Sequence, residues 1–470
     1  MEVRMQRQRL AALILAAGKS TRMKSARSKV LHNLAGRPVL AYTIDAAKGA
    51  GAKPVKVVVA PFQTDIKAYL DEVEVDFVLQ KEQLGTAHAV MVAERAFVGF
   101  DGDILILCGD VPLARPESLR EFVDAVRAKR AVLGVLSMAP SNPAGYGRIV
   151  RDLDGSVIKI VEEKEASPKE KTIREVNSGI ILADREWLFS SLKKVSNANA
   201  KGEYYLTDLV GIALKEGVGV VAHRCEPAED FHGINTRVEL ARAAEHMRER
   251  INKSFMLAGA GLIDYRHTYV DFGVHIGQDT SVLPFTFILG NTKIGSGCTI
   301  ENGVVIRDAI VGNGVHIKAN SVIEGSKISD GAVVGPFARV RPGSKVGAGA
   351  RIGNFVELKK CEMKAGAKAG HLSYLGDAIV GAHANIGCGT ITCNYDGREK
   401  HMTVIGDGVF VGSDTQFVAP VRIGRGAVIG AGSTITRDVP PSALALSRSE
   451  QKTVKGYAER KRKSHKSRKR

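Results

Sequence analysis

Two groups of residues in this chain have the types and spacing to do chemistry. The first opens with Leu15-Ala16-Ala17-Gly18-Lys19-Ser20-Thr21-Arg22-Met23, followed by Lys29. Small residues let backbone amides approach an anion, and Arg22 and Lys29 add positive charge, so this loop could cradle a phosphate. The loop departs from a P-loop, because the first glycine of G-x-x-x-x-G-K-[ST] would have to stand at Leu13. A tight turn with solvent-facing basic residues is the alternative. Farther on, Cys108-Gly109-Asp110-Val111-Pro112 sets a single carboxylate after another apolar run. Mg2+ is commonly held by one or two carboxylates plus substrate phosphates, and a solitary Asp suits that arrangement. The same Asp could equally serve as a turn residue.

The second group sits in two polar stretches, AGHLSYLGD (Ala369–Asp377) and GTITCNYDG (Gly389–Gly397). His371 offers an imidazole, a side-chain type suited to taking up a proton in general base catalysis. A lone histidine can as readily be structural.

These stretches interrupt a regular comb. A branched or large apolar residue returns every sixth position at Ile294, Ile300 and Ile306, at Val334, Val340, Val346, Ile352 and Leu358, and at Ile405, Val411, Phe417, Ile423, Ile429 and Ile435. Gly follows at 406, 412, 424 and 430. Such a period predicts a parallel β-helix whose coils must stack, since none can bury its own apolar residues alone. The comb starts weakly near Ile276 and is expected to end near Ile435, with Pro440-Pro441 stopping regular structure. It slips between Leu358 and Val380 and again between Ile386 and Ile405, since neither pair stands a whole number of hexads apart. Both slips read as coils that loop out, and such insertions cluster at binding faces.

The first group needs a different scaffold. Leu10–Ala17, Val55–Ala60, Asp103–Cys108 and Ala131–Ser137 read as buried strands; Val39–Ala50, Ala87–Ala96 and Pro116–Lys129 read as helices. That βαβα order predicts a mostly parallel sheet covered on both faces, with ligands at the loops after the strands. A helix from Thr236 to Leu257, charged on all sides and capped by Thr236 and Glu239, is expected to bridge two domains.

Length and composition set the bounds. At 470 residues, 44% hydrophobic and 25% charged, the chain suits two or more soluble domains. No apolar run is long enough to read as a membrane span. MEVRMQRQRL lacks the apolar core of a secretory leader. Six cysteines without C-x-x-C spacing suit reduced thiols, so a cytoplasmic location is expected. The net charge of +17 is partly the tail Arg460–Arg470, which carries eight Lys/Arg and reads as a disordered, solvated end. Nucleic acid is not an expected partner.

Taken in order, LAAGKSTRM with Lys29, QLGT (Gln83–Thr86), GDVP (Gly109–Pro112), GYGRI (Gly145–Ile149), Glu162, the NSG at Asn177 and the GIN at Asn235 resemble the bacterial GlmU family over about residues 10–450. These are bifunctional uridylyltransferase/acetyltransferases. The resemblance implies an α/β chain with a Rossmann-like nucleotide-diphospho-sugar transferase domain (1–235), a linker helix (236–257), a left-handed parallel β-helix of hexapeptide repeats (258–446) and a basic tail (447–470). It implies synthesis of UDP-N-acetylglucosamine, a precursor of peptidoglycan and lipopolysaccharide. Acetyl-CoA acetylates glucosamine 1-phosphate; UTP then uridylylates the product and pyrophosphate leaves. Leu15, Ala16, Ala17, Gly18, Lys29, Gln80, Gly85 and Thr86 would hold the nucleotide, with Cys108 and Gly109 beside them. Gly147, Glu162 and Asn177 would hold the amino sugar, Asp110 and Asn235 would ligate Mg2+, and Arg22 and Lys29 would neutralise phosphate charge. In the β-helix His371 maps onto the general base. Arg341, Lys359, Tyr374, Asn385, Asn394 and Tyr395 map onto the sugar-phosphate site, with Lys400 in support. Cys388, Ser413, Ala431 and Arg448 map onto the acetyl-CoA site. Cys108 stands where the family often has an aromatic residue, and Cys388 where it often has alanine. A homotrimer with acetyl sites between subunits is implied too. The rival readings are a single-function sugar-1-phosphate nucleotidyltransferase with a regulatory β-helix, and a non-catalytic scaffold with a basic tail.

Overall fold

Apolar runs bounded by turn residues become the sheet of the first unit. In chain order its strands are β1 (Leu10–Leu15), β2 (Val55–Val59), β3 (Phe77–Leu79), β4 (Asp103–Cys108), β5 (Leu133–Met138), β6 (Arg148–Arg151), β7 (Val157–Val161), β8 (Val176–Asp184) and β9 (Val220–Arg224). The structure is a computed structural model and describes residues 9–199 and 202–467. Residues 1–8, on which the leader argument rests, and Arg468–Arg470 of the tail lie outside the described residues. The chain divides into two compact units, Met1–Arg250 and Ile251–Arg470.

Across the first unit's sheet the order is β9-β5-β8-β4-β1-β2-β3, with β6 and β7 attached beside β8. The strands β2, β1 and β4 run parallel, as expected. Antiparallel β8, between β4 and β5, is an addition to the expected strands. Its NSG segment breaks the strand pattern: the pairing shifts register between Asn177 and Ile181, and Gly179 takes a φ of 84°. Alternation along each strand feeds two cores. Leu10, Ala12 and Ile14 of β1 join Leu40, Ile66 and Phe122 on one face. Ala11 and Leu13 join Val90, Phe97 and Leu209 on the other. Each fully buried Leu, Ile or Phe contributes about 1.5–3 kcal/mol, so the sheet is held firmly on both sides.

The second unit repeats one coil. Ile300, Ile306, Val334, Val340 and Val346 are wholly buried, and their strands pair in parallel with the equivalent strands of the neighbouring coils. Eleven strands, from Gly261–Leu262 to Leu444–Ala445, form one face; the other two faces join in a seventeen-stranded sheet. The coils therefore begin before Ile276 and continue past Pro440-Pro441, where Leu444–Ala445 pairs with Val428–Ile429.

The first slip is not a loop. Strands Glu357–Met363 and Tyr374–Val380 pair residue by residue, from Glu357 with Tyr374 to Met363 with Val380. Leu358, Met363, Ala369, Leu375 and Val380 all point inward and are fully buried. The comb shortens by one residue twice, and AGHLSYLGD stays inside the coil. The second slip is a true insertion: Val380 pairs directly with Ile405, and the chain between Cys393 and Thr403 leaves the coil. Thr392 fills the inward position before it, its hydroxyl accepting from Gly376 N–H at 2.7 Å.

The helix Arg237–Leu257 matches the expected span but is not polar all round: Ala243, Met247 and Ile251 form a buried stripe. The tail also departs from expectation, since Tyr457–Ser467 is helical, with exposed side chains from Tyr457 to Arg462. Lys and Arg are good helix formers, which a charge count overlooks.

Candidate active sites

Strand ends do the positioning in the first unit. Leu15 and Cys108 are register partners on β1 and β4. The loops after them leave the sheet side by side, at the edge where open α/β sheets bind ligands. Behind the first loop, the buried Gln63 amide donates to the carbonyls of Ala16 at 3.0 Å and Gly18 at 3.1 Å. Nothing occupies the space beside Gly18 that a side chain would fill. The Gly109 N–H donates to the Leu15 carbonyl at 2.9 Å, and Ile234 N–H to the Asp110 carbonyl at 2.9 Å.

Four polar side chains converge there. Arg22 donates to Asn235 Oδ1 at 2.8 Å, Lys29 donates to the same oxygen at 2.9 Å, and the Lys29 ammonium also pairs with Asp110. One cation is thus held between a carboxylate and a carboxamide oxygen. Mg2+ takes hard oxygens of this kind. Among the described residues no cluster of three or more His, Cys, Asp and Glu could hold a metal. A Mg2+ resting on Asp110 and Asn235 would draw its remaining oxygens from phosphates and water.

Around this centre, Gln80 is buried and donates to the Gly85 carbonyl at 3.2 Å. Gly85 has a φ of 112°, and a Cβ there would fall 2.5 Å from the Tyr204 carbonyl oxygen, so only glycine fits. The Thr86 hydroxyl accepts from Leu206 N–H at 3.1 Å, and Ala17 lines the adjoining core. On the other side, Asn177 N–H donates to the Gly147 carbonyl at 2.8 Å, and Asn177 Oδ1 accepts from Gly179 N–H at 2.9 Å. Glu162 accepts from the Thr207 hydroxyl at 3.2 Å, and its carboxylate lies 3.6 Å from where a Gly147 side chain would begin. Cys108 Sγ lies against Gly179, 3.3 Å from where its side chain would begin. Burial, reinforced by Asp110, pushes the Cys108 thiol up to about 12.

In the second unit the coil register aligns the acetyl candidates. The inward residues Ile352, Ala369, Ile386, Val411 and Ile429 pair in sequence on one face. Two positions after each come Asn354, His371, Cys388, Ser413 and Ala431, forming a column at the ~4.8 Å spacing of neighbouring strands. His371 Nδ1 donates to Asn354 Oδ1 at 2.5 Å, and Arg448 donates to the Ala431 carbonyl at 3.1 Å. Asn385 starts the short strand that leads into Cys388 on the same coil.

A cationic group stands on the adjoining faces. Arg341 donates to Glu357 at 2.9 Å, and Lys359 lies 3.7 Å from Asp377, which also accepts from Asn394 Nδ2. Lys400 stands beside Lys359, and that neighbouring ammonium holds Lys400 below the ordinary lysine value. Two amines so placed favour an anion between them. Tyr374 begins the strand Tyr374–Val380, and its hydroxyl reaches over Gly376. Tyr395 is 60% exposed on the inserted loop and donates to the Gly397 carbonyl at 2.8 Å. The loop is pinned by Asp396, which accepts from Arg398 and Glu399 N–H and contacts His401. These bonds hold the Asp396 carboxyl well below the usual range.

The sequence does not single out Gln63 or Asn354, and it marks Asp377 only as the last residue of the AGHLSYLGD stretch. Asn354 is within reach of it, because it stands 17 residues before His371, one shortened coil. Gln63 braces a loop 45 residues away, and no local pattern marks it.

Comparison with known proteins gives the context. Residues 12–155 match the MobA-like NTP transferase domain family. Residues 273–308, 325–360 and 402–437 match the bacterial transferase hexapeptide family of six repeats. Over full length, the chain is 53% identical over 450 residues to the bifunctional protein GlmU of Syntrophotalea carbinolica, covering 96% of this chain and 97% of that one. It is 50% identical over 454 residues to the bifunctional protein GlmU of Trichlorobacter lovleyi, covering 96% and 98%. A third relative, the bifunctional protein GlmU of Geobacter sulfurreducens, is 50% identical over 471 residues, covering 96% and 99%.

Proposed function

The chain belongs to the bifunctional GlmU family and is a two-activity transferase for UDP-N-acetylglucosamine synthesis; on that premise we propose which residues run each reaction. Its first unit is the uridylyltransferase and its second the acetyltransferase of the hexapeptide left-handed β-helix type.

Acetyl transfer comes first. Glucosamine 1-phosphate lies with its phosphate among Arg341, Lys359 and Lys400 and its sugar beside Tyr374, Asn385, Asn394 and Tyr395. The grouping of Arg341 and Lys359 on adjoining strands, with Lys400 beside Lys359, supports this reading, because a phosphate relieves the repulsion among them. Acetyl-CoA runs along Cys388, Ser413, Ala431 and Arg448, which places its thioester toward His371. His371 removes a proton as the amine attacks the thioester carbonyl, and the coenzyme A thiolate leaves.

In uridylyl transfer, a phosphate oxygen of N-acetylglucosamine 1-phosphate attacks the α-phosphorus of UTP and pyrophosphate leaves. That nucleophile is already ionised and needs no strong base. Leu15–Gly18, Gln80, Gly85 and Thr86 position the nucleotide, while Gly147, Glu162 and Asn177 position the sugar. Arg22 and Lys29 turn from Asn235 and Asp110 toward the phosphates and offset charge that builds on the leaving group. Mg2+ held by Asp110 and Asn235 supplies further charge neutralisation when bound. The supporting observation is the convergence of Arg22, Lys29, Asp110 and Asn235 on one point.

The active form is a homotrimer in the cytoplasm, supplying peptidoglycan and lipopolysaccharide synthesis. Phe337, Phe355 and Leu372 support the trimer. They are 48%, 55% and 57% exposed and stack along one edge beside His371, an apolar stripe that a second copy would cover.

A coupled assay tests the reading: glucosamine 1-phosphate, acetyl-CoA, UTP and Mg2+ should yield UDP-N-acetylglucosamine, and omission of any one should abolish it. His371→Ala should remove acetyl transfer and spare uridylyl transfer, while Asp110→Asn should do the reverse, each by about 100-fold or more. Acetyl transfer unaffected by His371→Ala would favour the regulatory β-helix instead.

A further inference from the structure

We propose that Asn354 is the positioning residue that fixes the tautomer of His371, so that the base of acetyl transfer is Nε2; this rests on the reading of His371 as that base. The two residues are register partners on adjacent coils, on strands Arg351–Asn354 and Lys368–His371. The Asn354 carboxamide oxygen receives His371 Nδ1 at 2.5 Å. An amide oxygen only accepts, so Nδ1 must carry the hydrogen and Nε2 must present its lone pair. The opposite tautomer would put a proton on the nitrogen that has to accept one.

The main chain prevents either partner from drifting. Leu372 N–H donates to the Asn354 carbonyl at 3.0 Å, binding the two coils directly at this level. The His371 carbonyl accepts from the buried Ser373 hydroxyl at 2.9 Å, and Ser373 also reaches the Gly387 carbonyl of the next coil at 3.3 Å. Asn354 and Cys388 are the neighbours of His371 in the column, one on each side. The imidazole is thus located by a coil below, a coil above and one side-chain bond.

The choice of an amide has a chemical consequence. A carboxylate at position 354 would fix the same tautomer but favour the imidazolium, which cannot act as base. Asparagine orients the ring and adds no formal charge.

The experiment compares full-length wild type, Asn354→Ala, Asn354→Asp and His371→Ala in acetyl transfer from pH 5.5 to 9, with uridylyl transfer as the control for folding. Asn354→Ala should lower the acetyl-transfer kcat about tenfold or more while both KM values stay within about twofold. Asn354→Asp should keep most of the kcat at high pH but move the acid limb of the profile up by about one pH unit. Wild-type kcat in Asn354→Ala, an effect on KM alone, or an unmoved acid limb in Asn354→Asp would overturn the assignment while the His371 reading stands. Retained acetyl transfer in His371→Ala would overturn both.

Discussion

Cysteines 108 and 388 occupy comparable places in the two sites and should behave in opposite ways. Thiolate, not thiol, reacts with alkylating agents. Burial pushes the Cys108 thiol up to about 12, so little of it is thiolate at pH 8. Cys225 and Cys361 are buried and pushed up to about 12 as well. Cys388 is half-buried in the column between His371 and Ser413, where the coenzyme is proposed to run. Iodoacetamide should therefore lower acetyl transfer far more than uridylyl transfer, and coenzyme A should protect. The control is Cys388→Ala, in which the loss should disappear; if it persists, the half-buried Cys393 is the reactive thiol. Equal loss of both activities would contradict the placement of both residues. Much of the residue-level site was legible because Lys29, Asp110 and Asn235 sit in motifs of distinctive order. Gln63 was not, since only the folded sheet brings it to its loop, and Asn354 becomes legible only once the coil before His371 is known to be shortened to 17 residues.

At the scale of elements, the hexapeptide comb named its own fold, yet it hid how its slips are built. The broken spacing from Leu358 to Val380 is compatible with a looped-out coil or with two shortened turns, and counting cannot separate them. Continuous pairing from Glu357 to Met363 against Tyr374 to Val380 decides for shortened turns. The antiparallel β8 escaped for a related reason, because Asn-Ser-Gly breaks the strand signal that Ile180 and Ile181 continue. Close stacking makes one glycine testable. A Cβ on Gly412 would stand 2.5 Å from Ala431 N and 2.8 Å from the Ile429 carbonyl oxygen, so Gly412→Ala must push the next coil away. Overpacking of that kind costs about 1–3 kcal/mol. Since Ser413 and Ala431 flank the contact, the KM for acetyl-CoA should rise and acetyl transfer should be lost at a lower temperature. Uridylyl transfer should keep its wild-type rate and heat tolerance. Unchanged acetyl-CoA kinetics would place the coenzyme away from this column.

For the whole molecule, the proposed homotrimer assigns the two activities different needs: acetyl transfer would require a neighbouring subunit and uridylyl transfer would not. Every proposed uridylyl residue comes from the first unit, where two cores enclose a complete sheet and the four converging polar groups arise from one chain. The second unit is a stack with most of its polar site residues on its surface, His371 exposed beside a bare edge of Phe337, Phe355 and Leu372. Phe337 and Phe355 already stack on each other at 5.4 Å, so the edge is ordered before anything covers it. Burying such a side chain contributes about 1.5–3 kcal/mol, and in a closed ring of identical subunits the contribution recurs at every interface. A charge there, once desolvated without a partner, reverses the sign. Phe355→Asp should therefore shift the protein from trimer to monomer in sedimentation velocity and lower acetyl transfer at least tenfold, while uridylyl transfer per chain stays within about twofold. A variant that remains trimeric would remove this stripe from the interface. A monomer with full acetyl transfer would show that one β-helix builds the whole acetyl site.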